Sequence, residues 1–178
     1  MTIQKVAATV GKGMLAGMAG TTAITLTMAA ERRLRDQHGP DTAPADAIGR
    51  ALGIHVGGAR DRKRLAALVH WLYGTEWGVP LALLALTGLT VPAAAAVEFG
   101  SIWGLELAML PSLGVAPPLR RSGAAGLATS AVHHLVYTAT AAATYAYLDR
   151  ALAPRRRRLR GIRRGARRGR TGLARLFA

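Results

Sequence analysis

The apolar residues of this chain are concentrated in three stretches that contain no Lys or Arg: 13–31, 65–119 and 122–148. A helix needs roughly 20 apolar residues to cross the hydrocarbon core of a bilayer, so these lengths predict one span, two spans and one span. A tight turn at 90–92, which contains a proline, divides the second stretch. The pattern therefore predicts an all-α, four-helix transmembrane bundle with spans at about 8–31, 65–89, 93–111 and 123–148.

A polar segment between the first two spans carries a short amphipathic helix. Thr42 is suited to cap it, Pro44 is tolerated in its first turn, and Gly53 ends it. We expect this helix to lie at the membrane surface. Its predicted apolar side is formed by Ala45, Ile48, Ala51 and Leu52.

Charge is concentrated after the last span, so the chain divides into a transmembrane domain at 1–150 and an Arg-rich tail at 151–178. The net charge is +15, and 12 Arg lie between Arg150 and Arg175. Such a run should bind anionic lipid headgroups. Specific nucleic-acid binding is disfavoured because aromatic residues do not alternate with the Arg residues. The predicted lipid contacts are Arg155, Arg156, Arg157, Arg158 and Arg160.

Topology follows from the distribution of Lys and Arg. Four spans place both termini on one side, together with 14 Lys and Arg against 10 on the other. The positive-inside rule then predicts a multi-pass protein of the inner (plasma) membrane with both termini in the cytoplasm. The first span is expected to be retained, because its apolar run is long for a signal peptide and leads directly into Glu31, Arg32 and Arg33.

Most familiar catalytic chemistries are absent from the sequence. The chain has no Cys, which excludes disulfides and thiolate metal ligands. Two adjacent histidines, His133 and His134, point about 100° apart on a helix and do not chelate one metal ion on one face. We expect no metal, no cofactor and no known enzyme motif, and a metal-dependent membrane enzyme is a less favoured alternative.

Ionisable and polar residues inside the spans are the best candidates for function. Charged groups are costly in the bilayer, so they are expected to face the bundle interior or a wet cavity. The third span carries two of them and is expected to be the central helix. The predicted polar cluster consists of Glu98, Glu106, His133 and Tyr137, with contributions from His70 and Glu76.

Glycines at helical spacing predict close contacts between helices. Small residues four positions apart let two backbones approach, and van der Waals packing is the main force between helices in lipid. The motifs fit either internal packing or a homo-oligomer. The predicted packing positions are Gly13, Gly17, Gly74, Gly78, Gly100 and Gly104.

Several features together resemble the small uncharacterised bacterial inner-membrane proteins of the YagU type. They are a first helix ending in charge, a second helix opening with His70 and Trp71, a third ending in the proline-rich segment 111–118, and a central His in the fourth. The resemblance covers roughly residues 10–150 and implies an inner-membrane location and a helical architecture. The Arg tail and the turn at 90–92 depart from that pattern.

The sequence thus predicts a membrane protein whose Glu/His cluster binds or conducts a small solute or protons. A structural or partner-binding membrane subunit is the first alternative, because the same polar residues can serve packing alone. A soluble, basic, nucleic-acid-binding protein is a further alternative.

Overall fold

The computed structural model describes residues 2–36 and 42–153, and these residues are helical with short connections. The Arg residues predicted to bind lipid lie outside them. A 3-10 turn, Leu119–Arg121, precedes the last helix. The five α-helices are α1 (Ile3–Leu34), α2 (Ala43–Leu52), α3 (Ala59–Leu86), α4 (Val91–Ser112) and α5 (Ala124–Ala151).

The four predicted spans correspond to α1, α3, α4 and α5, and the predicted loop helix is α2. The helices extend beyond the predicted spans, since α1 begins at Ile3 instead of near 8 and α3 begins at Ala59 instead of near 65. Asp61 in the first turn of α3 explains the second extension, because the positive end of the helix dipole favours an acid there. The chain reverses between α3 and α4 at 87–90, slightly earlier than predicted. Pro92 lies in the first turn of α4, where proline is well tolerated.

Glycines bring α1 and α3 into close backbone contact. Gly13 meets Gly78, and a Cβ atom built on Gly13 would lie 2.6 Å from the Gly78 carbonyl oxygen. Gly17 meets Gly74 and Thr75 in the same way, so the two helices run antiparallel. Any larger side chain would push these backbones apart.

Helix α5 lies along the groove between α1 and α3. The ring of Tyr137 packs on Gly20, where a Cβ atom would lie 2.8 Å from it. The Tyr137 hydroxyl donates to the carbonyl of Gly74 at 2.6 Å. Near the other end, the Lys12 ammonium lies 5.8 Å from the centre of the Tyr145 ring. These contacts fix the rotation of α5 and therefore the direction in which its histidines point.

Helix α2 is tied to the bundle by polar contacts at both ends. The Arg62 guanidinium of α3 pairs with Asp46 at 2.6 Å. The Arg50 guanidinium donates to the carbonyl of Leu113, just after α4, at 2.8 Å. The packed face also differs from the predicted apolar side, since Leu52 is exposed. The buried residues of α2 are Ala45, Ala47 and Gly49.

The expectation that the third span would be central is wrong, because α3 and not α4 contacts the most neighbours. Helix α3 packs against α1, α2 and α4, and Tyr137 connects it to α5. In α4, Gly100 and Gly104 are exposed. Apart from neighbours along α4, a Cβ atom built on either would meet no other atom of the described residues within 4 Å. Among the described residues, the glycines of α1 and α3 pair with each other and leave those of α4 without a partner.

Two of the helices, α1 and α4, are long and apolar enough to cross a membrane. Helix α3 begins with a strongly charged turn, and α5 is rich in Ala and Thr with two central His, so both are less hydrophobic. The residues up to Ala146 form one compact unit that contains all the contacts described here.

Candidate functional site

The best-defined polar contact inside the bundle joins α4 to α5. Glu106 lies on α4 one and a half turns before its end, and Ser130 and His134 lie one turn apart on the same face of α5. The Ser130 hydroxyl donates to Oε1 of Glu106 at 2.8 Å. Nε2 of His134 lies 2.9 Å from Oε2 of the same carboxylate. Both carboxylate oxygens of Glu106 therefore have a partner on another helix.

The heavy atoms around His134 define where its protons reside. Its Nδ1 lies 2.9 Å from the backbone carbonyl of Ser130, which can only accept, so Nδ1 carries a hydrogen. Nε2 and the Glu106 carboxylate then share one further proton. The pair is either an imidazolium with a carboxylate or a neutral imidazole with a carboxylic acid, and it has no net charge in either form.

A second His/Glu pair is formed by the neighbouring histidine. Nε2 of His133 lies 3.1 Å from Oε2 of Glu31, near the end of α1. The other oxygen of Glu31 pairs with the Arg35 guanidinium at 2.9 Å, and Arg35 also donates to Thr129 at 3.1 Å. Adjacent residues on a helix point about 100° apart. His133 therefore faces α1 while His134 faces α4.

Glu98 is the most enclosed ionisable residue of the described chain. It is 1% exposed, and neither of its carboxylate oxygens has a hydrogen-bond partner among the described residues. It lies close enough to the Tyr137 hydroxyl for an electrostatic interaction. That hydroxyl donates to Gly74 and not to the carboxylate. Glu98 and Tyr137 are thus neighbours without being hydrogen-bonded.

Two residues of the predicted cluster lie elsewhere. Nε2 of His70 is 2.9 Å from the Thr25 hydroxyl, so His70 joins α3 to α1. Glu76 is exposed on α3 and makes no hydrogen bond or ion pair with Glu98, Glu106 or either histidine of α5 in the described residues. Glu76 therefore does not belong to the cluster, and His133 belongs to a pair that does not include Glu106.

A cavity of about 340 Å³ opens onto the Glu106 pair between the end of α4, the connection 113–123 and the start of α5. Glu106, Ser130 and Arg121 are among the polar and charged residues that line it. Leu107, Leu110 and Leu127 form much of the apolar wall. The cavity gives water or a small ligand access to the carboxylate.

Sequence reasoning missed three participants: His134, Ser130 and Glu31. The sequence predicts Glu31 only as part of the charge that ends the first helix, and of the two adjacent histidines it predicts only His133 for the cluster. Ser130 and His134 lie one helical turn apart near the start of α5, and this spacing is a usable signal. In the described ranges, no three His, Asp or Glu side chains are placed to hold a metal ion.

Comparison with known proteins adds no relative on which to base an assignment. No protein-family model, curated protein or solved structure matches this chain.

Proposed function

We propose that this chain is an integral membrane protein of four spans, α1, α3, α4 and α5, that binds and relays protons through its Glu/His pairs. The distribution of side chains supports the membrane location. Large apolar residues face outward, with Leu26 at 66% and Leu135 at 56% exposure, while Thr21 and Glu98 are enclosed. A bilayer stabilises that arrangement, whereas water favours the reverse.

The observation that carries the proton-binding proposal is the Glu106–His134 pair. Its Nε2 and Oε2 atoms are 2.9 Å apart and share a single proton, so the proton needs to move only a short distance to change partner. The cavity on one side provides a route for water to the carboxylate. On the other side, His133 is near enough to interact electrostatically with Glu106 and is itself paired with Glu31. The two His/Glu pairs lie side by side at the end of the bundle where α1 and α4 end and α5 begins, so they form one end of the proposed proton path across the membrane.

Proton flux into liposomes that contain the purified protein tests this proposal. A potassium gradient with valinomycin sets the membrane potential, and a pH-sensitive dye inside the liposomes reports the pH of the lumen. The wild type should acidify or alkalinise the lumen according to the sign of that potential. Glu106→Gln should lower that rate by on the order of 100-fold, as expected when a positioned proton-transfer group is lost. His134→Gln should have a similar effect.

The matched control is Glu76→Gln, the same change on an exposed carboxylate outside the pairs. It should leave the flux unchanged. Equal fluxes in wild type and Glu106→Gln, or no flux above that of empty liposomes, would contradict the relay. Recovery of the protein in the soluble fraction at high salt without detergent would remove the membrane location as well.

A partner-binding or structural membrane subunit is the second candidate, and the outer face of α4 favours it. Ala96, Gly100, Gly104 and Ala108 recur at one-turn spacing, and all four are exposed. Such a strip permits close approach of another helix, from a second copy or from another protein. In that case the liposome experiment should give no flux for any variant.

The orientation with both termini in the cytoplasm, and binding of anionic lipids by the Arg tail, complete the proposal. They are supported by the excess of Lys and Arg on that side and by the attraction of basic segments next to a span to acidic headgroups.

A further inference from the structure

The cavity between α4 and α5 has a charge that the proton relay does not use. Arg121 lines it and is exposed, and no hydrogen bond or ion pair of its guanidinium is found in the described part of the chain. Arg120, the preceding residue, is also exposed but does not line the cavity. A guanidinium in this position is suited to a carboxylate or phosphate, which it can bind through two parallel hydrogen bonds.

The acid on the cavity wall does not neutralise Arg121. Glu106 is bonded to Ser130 and His134, and the Glu106–His134 pair has no net charge wherever its shared proton lies. The cavity therefore carries one uncompensated positive charge. A cationic ligand would meet repulsion from Arg121 and find no free carboxylate, so the charge balance favours an anion.

The rest of the wall is apolar. Leu107, Leu110 and Leu127 face the cavity together with Pro111 and Pro117. The volume of about 340 Å³ is at the lower end of the range for small-molecule sites, which suits one chain and not two. The proline-rich connection at the end of α4 and the start of α5 places Arg121 near the predicted membrane surface, where headgroups lie.

We propose that this cavity binds a single-chain anionic amphiphile. Its acidic headgroup pairs with the Arg121 guanidinium, and its hydrocarbon chain packs against Leu107, Leu110 and Leu127. The ligand is a free fatty acid or one chain and the headgroup of an anionic phospholipid, since both present the same chemistry to the site. The site shares its cavity with the water route to Glu106, so a bound amphiphile displaces water from that route, but binding itself does not require proton transfer.

Binding of a fluorescent fatty acid to the full chain in detergent tests the proposal. The probe is 11-(dansylamino)undecanoic acid, and its comparison is the alcohol with the same chain and dye. The acid should bind at least about tenfold more tightly than the alcohol, the preference expected from one charge-assisted pair. Arg121→Gln should abolish that preference while leaving the affinity for the alcohol unchanged.

Arg120→Gln is the matched control, because it removes the same charge one residue away from the cavity wall. It should leave both affinities as they are. Leu107→Trp, which fills the cavity, should weaken acid and alcohol alike, and circular dichroism shows whether each variant remains helical. If Arg120→Gln and Arg121→Gln lower the affinity for the acid equally, the acid is held by general attraction to surface charge and the proposed site is wrong. Tighter binding of the amine with the same chain and dye would also contradict the proposal.

Competition identifies the source of the ligand. Displacement of the probe by laurate alone indicates a fatty-acid site, and displacement by phosphatidylglycerol in mixed micelles indicates a phospholipid site. If neither displaces the probe from the wild type, the proposal is wrong. Because the readout is binding and not flux, its failure leaves the proton relay standing, and failure of the flux experiment leaves this site standing.

Discussion

Gly78→Leu is expected to destabilise the bundle strongly. A Cβ atom at Gly78 would fall onto the carbonyl oxygen of Gly13 and the backbone of Gly17, so α1 and α3 would have to separate. Overpacking a close contact costs about 3 kcal/mol, and a clash with backbone leaves little room for relief. Thermal denaturation of the purified protein in detergent, followed by circular dichroism, should show a clearly lower midpoint.

Gly104→Leu provides the matched control for that change. Like Gly78, Gly104 lies one turn from a second glycine, but apart from neighbours along α4 a Cβ atom built on it would meet no other atom of the described residues within 4 Å. The denaturation midpoint of the monomer should therefore stay the same. Equal destabilisation by the two variants would mean that the α4 glycines are covered, which only another chain or a different packing of α4 can explain.

Substitution by Met should stabilise the protein at Glu98 and destabilise it at Glu106. Glu98→Met removes a buried carboxyl group that lacks a hydrogen-bond partner, so the protein should become more stable by about 1–3 kcal/mol. Glu106→Met leaves Ser130 and His134 without their partner, so stability should fall by about 3 kcal/mol. Denaturation of both variants in one detergent measures the two changes side by side.

A loss of stability in both Glu variants would contradict the structural difference between them. It would indicate that Glu98 also has a hydrogen-bond partner, such as bound water, and that the interior is wetter around Tyr137 than the protein contacts imply.

The helices were predictable because their signals are local. The apolar stretches free of Lys and Arg, the glycine after α2 and the proline in the first turn of α4 depend only on neighbouring residues. All five helices of the described residues could therefore be predicted, including the short one that precedes α3. Their ends shifted where a single residue, such as Asp61, stabilises an additional turn.

Which helices meet could not be predicted in the same way. Three glycine pairs had equivalent spacing, and only rotation of the helices about their axes decides that Gly13 and Gly17 meet Gly74 and Gly78. The same rotation directs His134 and not His133 toward Glu106. Since the two histidines are about 100° apart, a modest turn of α5 exchanges their partners. The sequence predicts His133 as the partner of the α4 carboxylates, whereas in the structure Glu106 contacts His134 and His133 contacts Glu31.

Nitrogen-15 NMR of the histidine side chains, in the full chain reconstituted in lipid nanodiscs, detects whether His134 and Glu106 share a proton. The signals of His134 are assigned by their loss in His134→Gln. We expect a protonated Nδ1, and an Nε2 whose chemical shift shows a strong hydrogen bond and changes in Glu106→Gln but not in Glu76→Gln. A His134 that titrates as a free histidine in water, with shifts unaffected by Glu106→Gln, would contradict the shared proton and the relay based on it.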